Sequence, residues 1–281
     1  MVNSWEELEN RCYEYLKKLY PKTPSIEACG KSDSTKADIK VEVSASDEFY
    51  IEVKATSSQC CQFVLFPNRN TKQFDFSSGN KVPCFDNCKN IISYMNGFYK
   101  KYHRVGKKGI PIDVDKSILY GLVQDFYSLK KVKFFMTETN DFIIFPSDSF
   151  SRYFDINCFY RKKTSGSSEP NEENNNTEII EGLKNNDIPG TIEYHSVGKK
   201  IRCFLHTIQD INKSRMVCNN YTYQFKENKY SQIIEKKSSY VYEVRRLSNT
   251  SNPNVICQLS LKQDFQDKHD LESFKKDMRK K

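Results

Sequence analysis

Two short segments of alternating apolar and polar residues, DIKVEV (38–43) and EFYIEVK (48–54), are separated by the turn-forming stretch SASD. Successive side chains of a β-strand point to opposite faces, so this alternation predicts an antiparallel hairpin with one buried and one polar face. If the numbers of paired residues sum to 90, with a loop of about five residues, Asp38 lies opposite Glu52 and their Cβ atoms are about 5 Å apart. Lys54 then shares the same polar face.

Two carboxylates and an ammonium group at one place favour metal-assisted hydrolysis. Mg²⁺ prefers oxygen ligands and keeps several waters, so two carboxylates are enough to hold one ion. Such an ion activates water for attack on a phosphodiester, and Lys54 is placed to orient that water or to stabilise charge on the phosphate. Pairs spaced like Glu52 and Lys54 arise several times by chance at this composition, so the pair is informative only within its hairpin.

The run KADIKVEV…FYIEVKATSSQCCQFVL resembles the core motif of the PD-(D/E)XK nuclease superfamily, in which an aspartate begins one strand and a Glu-x-Lys triplet lies on the next. The resemblance implies an α/β, restriction-endonuclease-like core, with a mixed central β-sheet flanked by helices and a β-rich C-terminal part. It implies catalytic roles for Asp38, Glu52 and Lys54, and metal binding by Asp38, Glu52 and Val53. Ala37 stands where the family usually has proline.

The resemblance also points to residues around this centre. Gln59 and Gln62 resemble polar residues that flank the site in many members. Some members carry an additional acidic residue upstream of the motif aspartate. The candidates for it here are Glu27 and Glu7, with Glu6 and Glu9 as alternatives on the first helix.

The periodicity of the remaining chain predicts its organisation. Helical spacing of apolar residues predicts helices over 1–20, 87–102 and 115–129. Residues 164–187 are poor in aromatics and rich in Asn, Glu and Ser, which predicts a mobile loop or a boundary. We therefore predict a catalytic core with a basic helical segment over 1–163, and a β-rich DNA-recognition part with a C-terminal helix over 188–281.

Basic residues are concentrated in a few places, and the chain carries a formal net charge of +8. Residues 98–133 contain nine Lys or Arg against three Asp. Such a surface suits the phosphates of a DNA duplex, although a solvated helix face is the alternative. Arginine and asparagine near 245–252 are candidates for reading bases. The predicted DNA-binding residues are Lys100, Lys101, Arg104, Lys107, Lys108, Arg161, Lys162, Lys163, Arg245, Arg246 and Asn249.

Several classes are disfavoured by the sequence. No apolar run approaches the ~20 residues of a membrane helix, and the polar start of the chain lacks the pattern of a signal peptide, so a cytoplasmic protein with reduced cysteines is expected. The cysteines form no CxxC pair and the four histidines show no paired spacing, so no zinc site is expected.

Length and layout resemble type II restriction endonucleases more than compact junction resolvases. The function this implies is Mg²⁺-dependent, site-specific hydrolysis of double-stranded DNA within a restriction-modification system. A palindromic target implies a homodimer, and the system implies a cognate DNA methyltransferase without a stable complex. The alternatives are another nuclease of the superfamily, for repair or Holliday-junction resolution, and a DNA-binding protein that does not cleave.

Overall fold

The chain folds into two compact units. The larger unit groups residues 2–162 with 253–281, and the smaller contains 163–252. Within the described ranges no helix has the length and apolar character that a membrane crossing requires. The computed structural model describes residues 4–22, 25–29, 36–44, 46–164, 166–198, 200–228, 230, 234 and 238–279.

Helices and strands alternate along the larger unit, whereas strands dominate the smaller one. The helices are α1 (Ser4–Leu19), α2 (Asp86–Gly97), α3 (Tyr99–Tyr102), α4 (Lys116–Leu129), α5 (Phe150–Tyr153), α6 (Glu172–Asn185) and α7 (Lys268–Met278), with a 3-10 turn at Ser147–Ser149. The strands are β1 (Ser25–Ala28), β2 (Ile39–Ser44), β3 (Asp47–Val53), β4 (Ser57–Asn68), β5 (Gln73–Phe76), β6 (Ile110–Ile112), β7 (Val132–Glu138), β8 (Phe142–Pro146), β9 (Phe154–Thr164), β10 (Ser167–Ser168), β11 (Thr191–Val197), β12 (Lys200–Thr207), β13 (Arg215–Cys218), β14 (Tyr221–Glu227), β15 (Tyr240–Leu247) and β16 (Ser251–Leu261).

The first sheet of the larger unit has the strand order β1-β2-β3-β7-β8. Strand β3 is interior, since it pairs antiparallel with β2 and parallel with β7. One face of this sheet packs against α1 and α7, where Leu8, Leu16 and Phe274 are buried. Parallel neighbours need a long crossover, and the one between β3 and β7 includes α4, whose Tyr127 packs on Phe135 of β7.

The hairpin formed by β2 and β3 has the register that its alternation predicts. Ile39 pairs with Ile51 and Val41 with Phe49, so the numbers of paired residues sum to 90. The strands continue to Ser44 and Asp47, with a register shift before the turn, so the loop is shorter than the five residues expected. The buried positions of β2 alternate as predicted, because only one of its faces meets the core.

A second sheet of the larger unit has the order β5-β4-β16-β9-β6. Strand β4 is long, because its polar first half pairs with β16 and its last residues pair with β5. Its inner residues join a core that includes Ile91 and Met95 of α2 and Leu122 of α4. The predicted helices over 1–20 and 115–129 are confirmed, and the segment 87–102 forms two helices, α2 and α3.

The smaller unit is a sheet with a helix on one face. Its strands follow the order β11-β12-β15-β14-β13, and β10 pairs with β15. Helix α6 buries Ile179 and Leu183 against Leu205, Tyr223 and Val244 of this sheet. The α/β fold with a β-rich part is therefore as predicted.

The structure differs from the predicted organisation in two places. The segment 164–187 is not a loop throughout, because α6 forms within it. Its side chains are mostly polar, but Ile179 and Leu183 lie four residues apart and share a buried face, and the side chain of Asn171 caps the start of the helix. Nor does 188–281 form one part, since residues 253–281 return to the larger unit through β16 and α7.

Candidate active site

Asp38 and Glu52 are neighbours across the hairpin of β2 and β3. The register that pairs Ile39 with Ile51 extends to them, one position beyond the start of β2. The main-chain N–H of Val53 donates a hydrogen bond of 2.8 Å to Oδ2 of Asp38 and holds this carboxylate against the end of β3. The first two residues predicted for catalysis are therefore close together.

Glu52 is 3% exposed and lies between two lysines. Nζ of Lys54 is 2.6 Å from Oε1 of Glu52, and Nζ of Lys130 is 3.3 Å from Oε2. Lys130 directly follows α4, which places its ammonium group over β3. A buried carboxylate without partners is strongly unfavourable. The two ammonium groups offset this cost, which explains how an acidic residue can be buried on an interior strand.

Both lysines also lie near the ring of Tyr127. Nζ of Lys54 is 5.4 Å and Nζ of Lys130 is 5.2 Å from the ring centroid, within the range of cation–π contacts. The hydroxyl of Tyr127 donates to the carbonyl oxygen of Cys60 at 3.0 Å. Burial raises the pKa of Tyr127 well above its ordinary value, so the phenol stays neutral and acts as a fixed support for the two ammonium groups.

The carboxylates influence one another's protonation. Burial, and then the charge of Glu52, raises the pKa of Asp38 to about 6, while Lys54 and the Val53 N–H act in the opposite direction. Burial, and then the charge of Asp38, raises the pKa of Glu9 to about 7. Burial lowers the pKa of Lys54, but the charges of Glu52 and Asp38 outweigh it, and the net shift is upward. Lys54 therefore remains a cation.

This donor set fits a hard divalent cation. Asp38 and Glu52 offer carboxylate oxygens, and Val53 offers its main chain beside them. Mg²⁺ takes oxygen ligands and is bound by one or two carboxylates in many phosphate-processing sites. Like charges that raise the pKa of Asp38 repel each other, and a bound cation would relieve that repulsion.

The other residues predicted near the site differ in burial and in their electrostatic interaction with it. Glu9 of α1 is half-buried and is electrostatically linked to Asp38 and Glu52, whereas Glu27 and Glu7 are exposed. Of the candidates for the additional acidic residue, Glu9 is therefore the one whose charge interacts with Asp38 and Glu52. It was named in the sequence as an alternative to Glu27 and Glu7. Gln59 and Gln62 lie at exposed positions of β4.

Lys130 and Tyr127 were not among the residues predicted for the site. In the sequence, Lys130 falls within the basic run 98–133, which suggests a DNA-facing residue. The signal that could have identified it is its position at the end of a helix that leads into the strand paired with β3. A lysine at that junction is carried to the same sheet as Glu52.

Two of the basic runs predicted to bind DNA adjoin in the larger unit, and Lys163 begins the smaller unit. The N–H of Lys162 donates to the carbonyl of Gly106 at 3.0 Å, and Ile110 pairs with Tyr160, so the two basic runs adjoin. Arg161 and Lys163 are half-buried. The exposed members are Lys100, Lys101, Arg104, Lys107, Lys108 and Lys162.

Arg245 and Arg246 of β15 have different surroundings. The guanidinium of Arg245 donates to Glu169, Glu243 and Ser167, which occupies its nitrogens within the smaller unit. Arg246 instead stacks on the ring of Tyr221 at 4.7 Å. It lines a depression of about 420 Å³. The exposed Asn249 also lines it, and its amide donates to the carbonyl of Asn220.

Comparison with known proteins gives one clear relative. No protein-family profile and no curated protein sequence matches the chain. The solved structure of HhaI endonuclease in complex with DNA does, with 33% sequence identity and a TM-score of 0.82. The match covers 98% of this chain and 99% of that chain. Similarity of this extent spans both units and the hairpin that carries Asp38 and Glu52.

Proposed function

The chain belongs to the family of HhaI endonuclease, a type II restriction enzyme of the PD-(D/E)XK fold, and we propose that it hydrolyses phosphodiester bonds of double-stranded DNA at a short specific sequence. The resemblance inferred from the hairpin motif agrees with this family. Full coverage at 33% identity supports the same class of activity for the whole chain, a site-specific restriction endonuclease.

The observation that carries the proposal is the arrangement of Asp38, Glu52 and Lys54. Two carboxylates meet on one side of the hairpin, and the ammonium group of Lys54 lies 2.6 Å from Glu52. A protein that only binds DNA gains nothing from carboxylates held next to phosphate, because their charge opposes binding. The arrangement therefore supports cleavage over binding alone.

Asp38, Glu52 and the main chain of Val53 would hold Mg²⁺. When bound, the cation supplies positive charge at the scissile phosphate and makes water a better nucleophile. Two groups of the chain itself complete the site. The Val53 N–H keeps the Asp38 carboxylate in place, and Lys54 orients water or stabilises the charge that develops on the phosphate.

Lys130 has a supporting role in this proposal. Its contact with Glu52 is longer than that of Lys54, at 3.3 Å, and both lysines lie near Tyr127. With two cations beside it, Glu52 keeps one partner when Lys54 turns toward the substrate. Lys130 is thus a positioning residue, which holds the Glu52 carboxylate in its orientation.

DNA binding is proposed for the basic surface formed by Arg104, Lys107, Lys108 and Lys162. The hydrogen bond between Lys162 and Gly106 makes this surface continuous, and contacts with phosphates account for most sequence-independent affinity. For base reading, Arg246 is better placed than Arg245, because the guanidinium of Arg245 is occupied by acidic partners.

The proposal extends to partners. A palindromic target has two-fold symmetry, which two copies of the chain would match, so we propose a homodimer on DNA. Sedimentation of the complex with cognate duplex tests this, and one chain per duplex would contradict it. A DNA methyltransferase of the same specificity would protect cytoplasmic DNA without forming a stable complex.

The direct test is incubation of the protein with plasmid or phage DNA and Mg²⁺. Discrete bands that disappear in EDTA and in Asp38→Asn are expected, whereas Glu42→Gln on the same hairpin should cleave normally. A smear would indicate a nuclease without sequence specificity. Cleavage restricted to branched DNA would instead favour a junction-resolving enzyme.

A further inference from the structure

A second group of ligand-type side chains lies on the smaller unit. Strand β11 carries Glu193 and His195 two residues apart, so both point to one face of the sheet. Strand β12 pairs antiparallel with β11 and places Phe204 opposite Glu193, so that His206 is a diagonal neighbour on the same face. The opposite face of these strands packs Cys203 and Leu205 against α6.

The distances within this group fit a metal site, and the shortest of them is a hydrogen bond between His195 and Glu193. Oε2 of Glu193 is 2.9 Å from Nε2 of His195 and 3.5 Å from Nε2 of His206. One ligand atom from each residue can be chosen so that all three lie within 4.8 Å of one another. Tetrahedral zinc with bonds of about 2.0–2.1 Å separates its ligand atoms by about 3.3 Å, and the two measured distances bracket that value.

The burial of the three side chains also suits a bound ion. His206 has 1% of its side chain exposed, whereas His195 and Glu193 have 36% and 23%. The site thus has one ligand fixed in the interior and two at the surface, which leaves a path for an ion to enter.

We propose that Glu193, His195 and His206 bind one transition-metal ion of the zinc type. Two imidazole nitrogens and one carboxylate oxygen suit zinc better than Mg²⁺, which prefers oxygen ligands. The ion would join β11 to β12 and stabilise the smaller unit. The site belongs to different residues from the cleavage centre and does not depend on the proposed nuclease function.

A comparable group at the start of α7 does not offer the same ligands. There, the carboxylate of Asp267 accepts the N–H groups of His269 and Asp270, and Asp270 accepts from Ser149 and Tyr153. These oxygens are engaged in the fold. His269 therefore provides a matched control, a histidine grouped with acidic residues whose oxygens are already engaged in hydrogen bonds.

No spacing of residues along the chain pointed to this site. Glu193 and His195 lie close together on one strand, but His206 comes from the next strand of the hairpin, so no local zinc motif arises. The useful signal is the Glu-x-His pair on a strand, together with a histidine that the hairpin register brings beside it.

The experiment measures zinc binding by the full-length protein, freed of metals with EDTA and desalted. Calorimetric titration with Zn²⁺ is carried out with Mg²⁺ in excess, so that the carboxylates of the cleavage centre are saturated. The variants are His195→Gln, Glu193→Gln and the control His269→Gln. Circular dichroism and thermal melting verify that each variant is folded.

We expect one zinc ion per chain, a higher melting temperature with zinc, and the same behaviour in His269→Gln. Affinity should fall about 100-fold or more in His195→Gln and Glu193→Gln, since even the loss of an outer partner typically costs about 10–100-fold. The visible absorption of Co²⁺ should show nitrogen and oxygen ligands.

Three results would overturn the assignment. The first is wild-type protein that binds zinc no better than His195→Gln. The second is zinc binding that is lost in His269→Gln and kept in the other two variants. The third is a thiolate-to-cobalt absorption band, which would place the ion on cysteines.

Discussion

The N–H of Val53 donates a hydrogen bond of 2.8 Å to Oδ2 of Asp38, so the middle residue of the Glu-x-Lys triplet orients the aspartate of the neighbouring strand. The donor is a main-chain group and does not depend on the side chain at position 53. The side chain of Val53 is buried in the hydrophobic core that the sheet forms with α1. One residue thus connects the packing of the sheet to the geometry of the site.

Removing either carboxylate should stop cleavage and spare DNA binding. Asp38→Asn and Glu52→Gln each delete a charged ligand for the cation, and single-turnover cleavage should fall by at least about 100- to 1,000-fold. Affinity for cognate DNA should stay equal or increase, because less negative charge faces the phosphates. Glu42→Gln is the control. Wild-type rates in either variant would refute the site.

The raised pKa of Asp38 predicts a stability change with pH in the absence of metal. Folded protein holds this proton more tightly than unfolded protein, so the free energy of unfolding should fall as pH rises from about 4 to about 6. Asp38→Asn should therefore be more stable than wild type by about 1–2 kcal/mol at pH 8, with little difference near pH 4.

Urea unfolding in EDTA at both pH values measures this difference. Adding Mg²⁺ at pH 8 should stabilise wild type more than Asp38→Asn, because only wild type keeps both carboxylates. Equal stability of the two proteins at pH 8 in EDTA would mean that burial and the charge of Glu52 do not raise the pKa of Asp38.

The two lysines on Glu52 should differ in their effects. Lys54→Met should abolish cleavage, whereas Lys130→Met should lower it by about 10- to 100-fold and destabilise the fold by about 1–3 kcal/mol, since Glu52 keeps one cation. Lys116→Met, which removes a partner of Asp155, is the control. Single-turnover rates and urea unfolding separate the effects, and equal loss in both variants would assign both lysines the same role.

Lysines of the basic surface should contribute salt-dependent affinity. Replacing Lys107 and Lys108 with Ala should weaken binding equally on cognate and random DNA, and the slope of log affinity against log salt should fall by about 0.9 for each phosphate that the protein no longer neutralises. Lys133, whose ammonium group pairs with Asp277, is the control within the same basic run. An unchanged slope would mean that these lysines form only a solvated face.

Arg246 and Arg245 should separate recognition from stability. Arg246→Ala should weaken binding to the cognate sequence by about 1–3 kcal/mol and change affinity for scrambled DNA much less, if this residue contacts a guanine. Arg245→Ala should mainly lower the melting temperature, because Glu169 and Glu243 lose one of their two arginine partners and keep only Arg202. Competition titrations with both duplexes, together with melting curves, distinguish these outcomes.

The hairpin and its two acidic residues were predictable because they depend on local alternation and one register. That register places Asp38 beside Glu52 without knowledge of any distant contact. Lys130 and Tyr127 were not predictable in this way. They reach Glu52 only because β7 pairs in parallel with β3, which fixes where the intervening helix ends.

Composition is misleading where a few apolar residues decide the structure. The segment 164–187 has the polar character of a loop, but α6 forms because Ile179 and Leu183 find a complementary sheet face. Apart from the short strand β10, the sheet is made of strands that come later in the sequence. The grouping of residues 253–281 with the first 162 similarly depends on the pairing of β16 with β4, between segments far apart in the chain.

Strands β9 and β16 carry the chain out of the larger unit and back into it. They are neighbours in the second sheet, where Sγ of Cys257 lies 3.6 Å from Sγ of Cys158. The chain therefore leaves along one strand and returns along the adjacent one, about one strand spacing away, roughly 5 Å. Because the two strands lie side by side, the length of the segment between them can change without any change in their pairing.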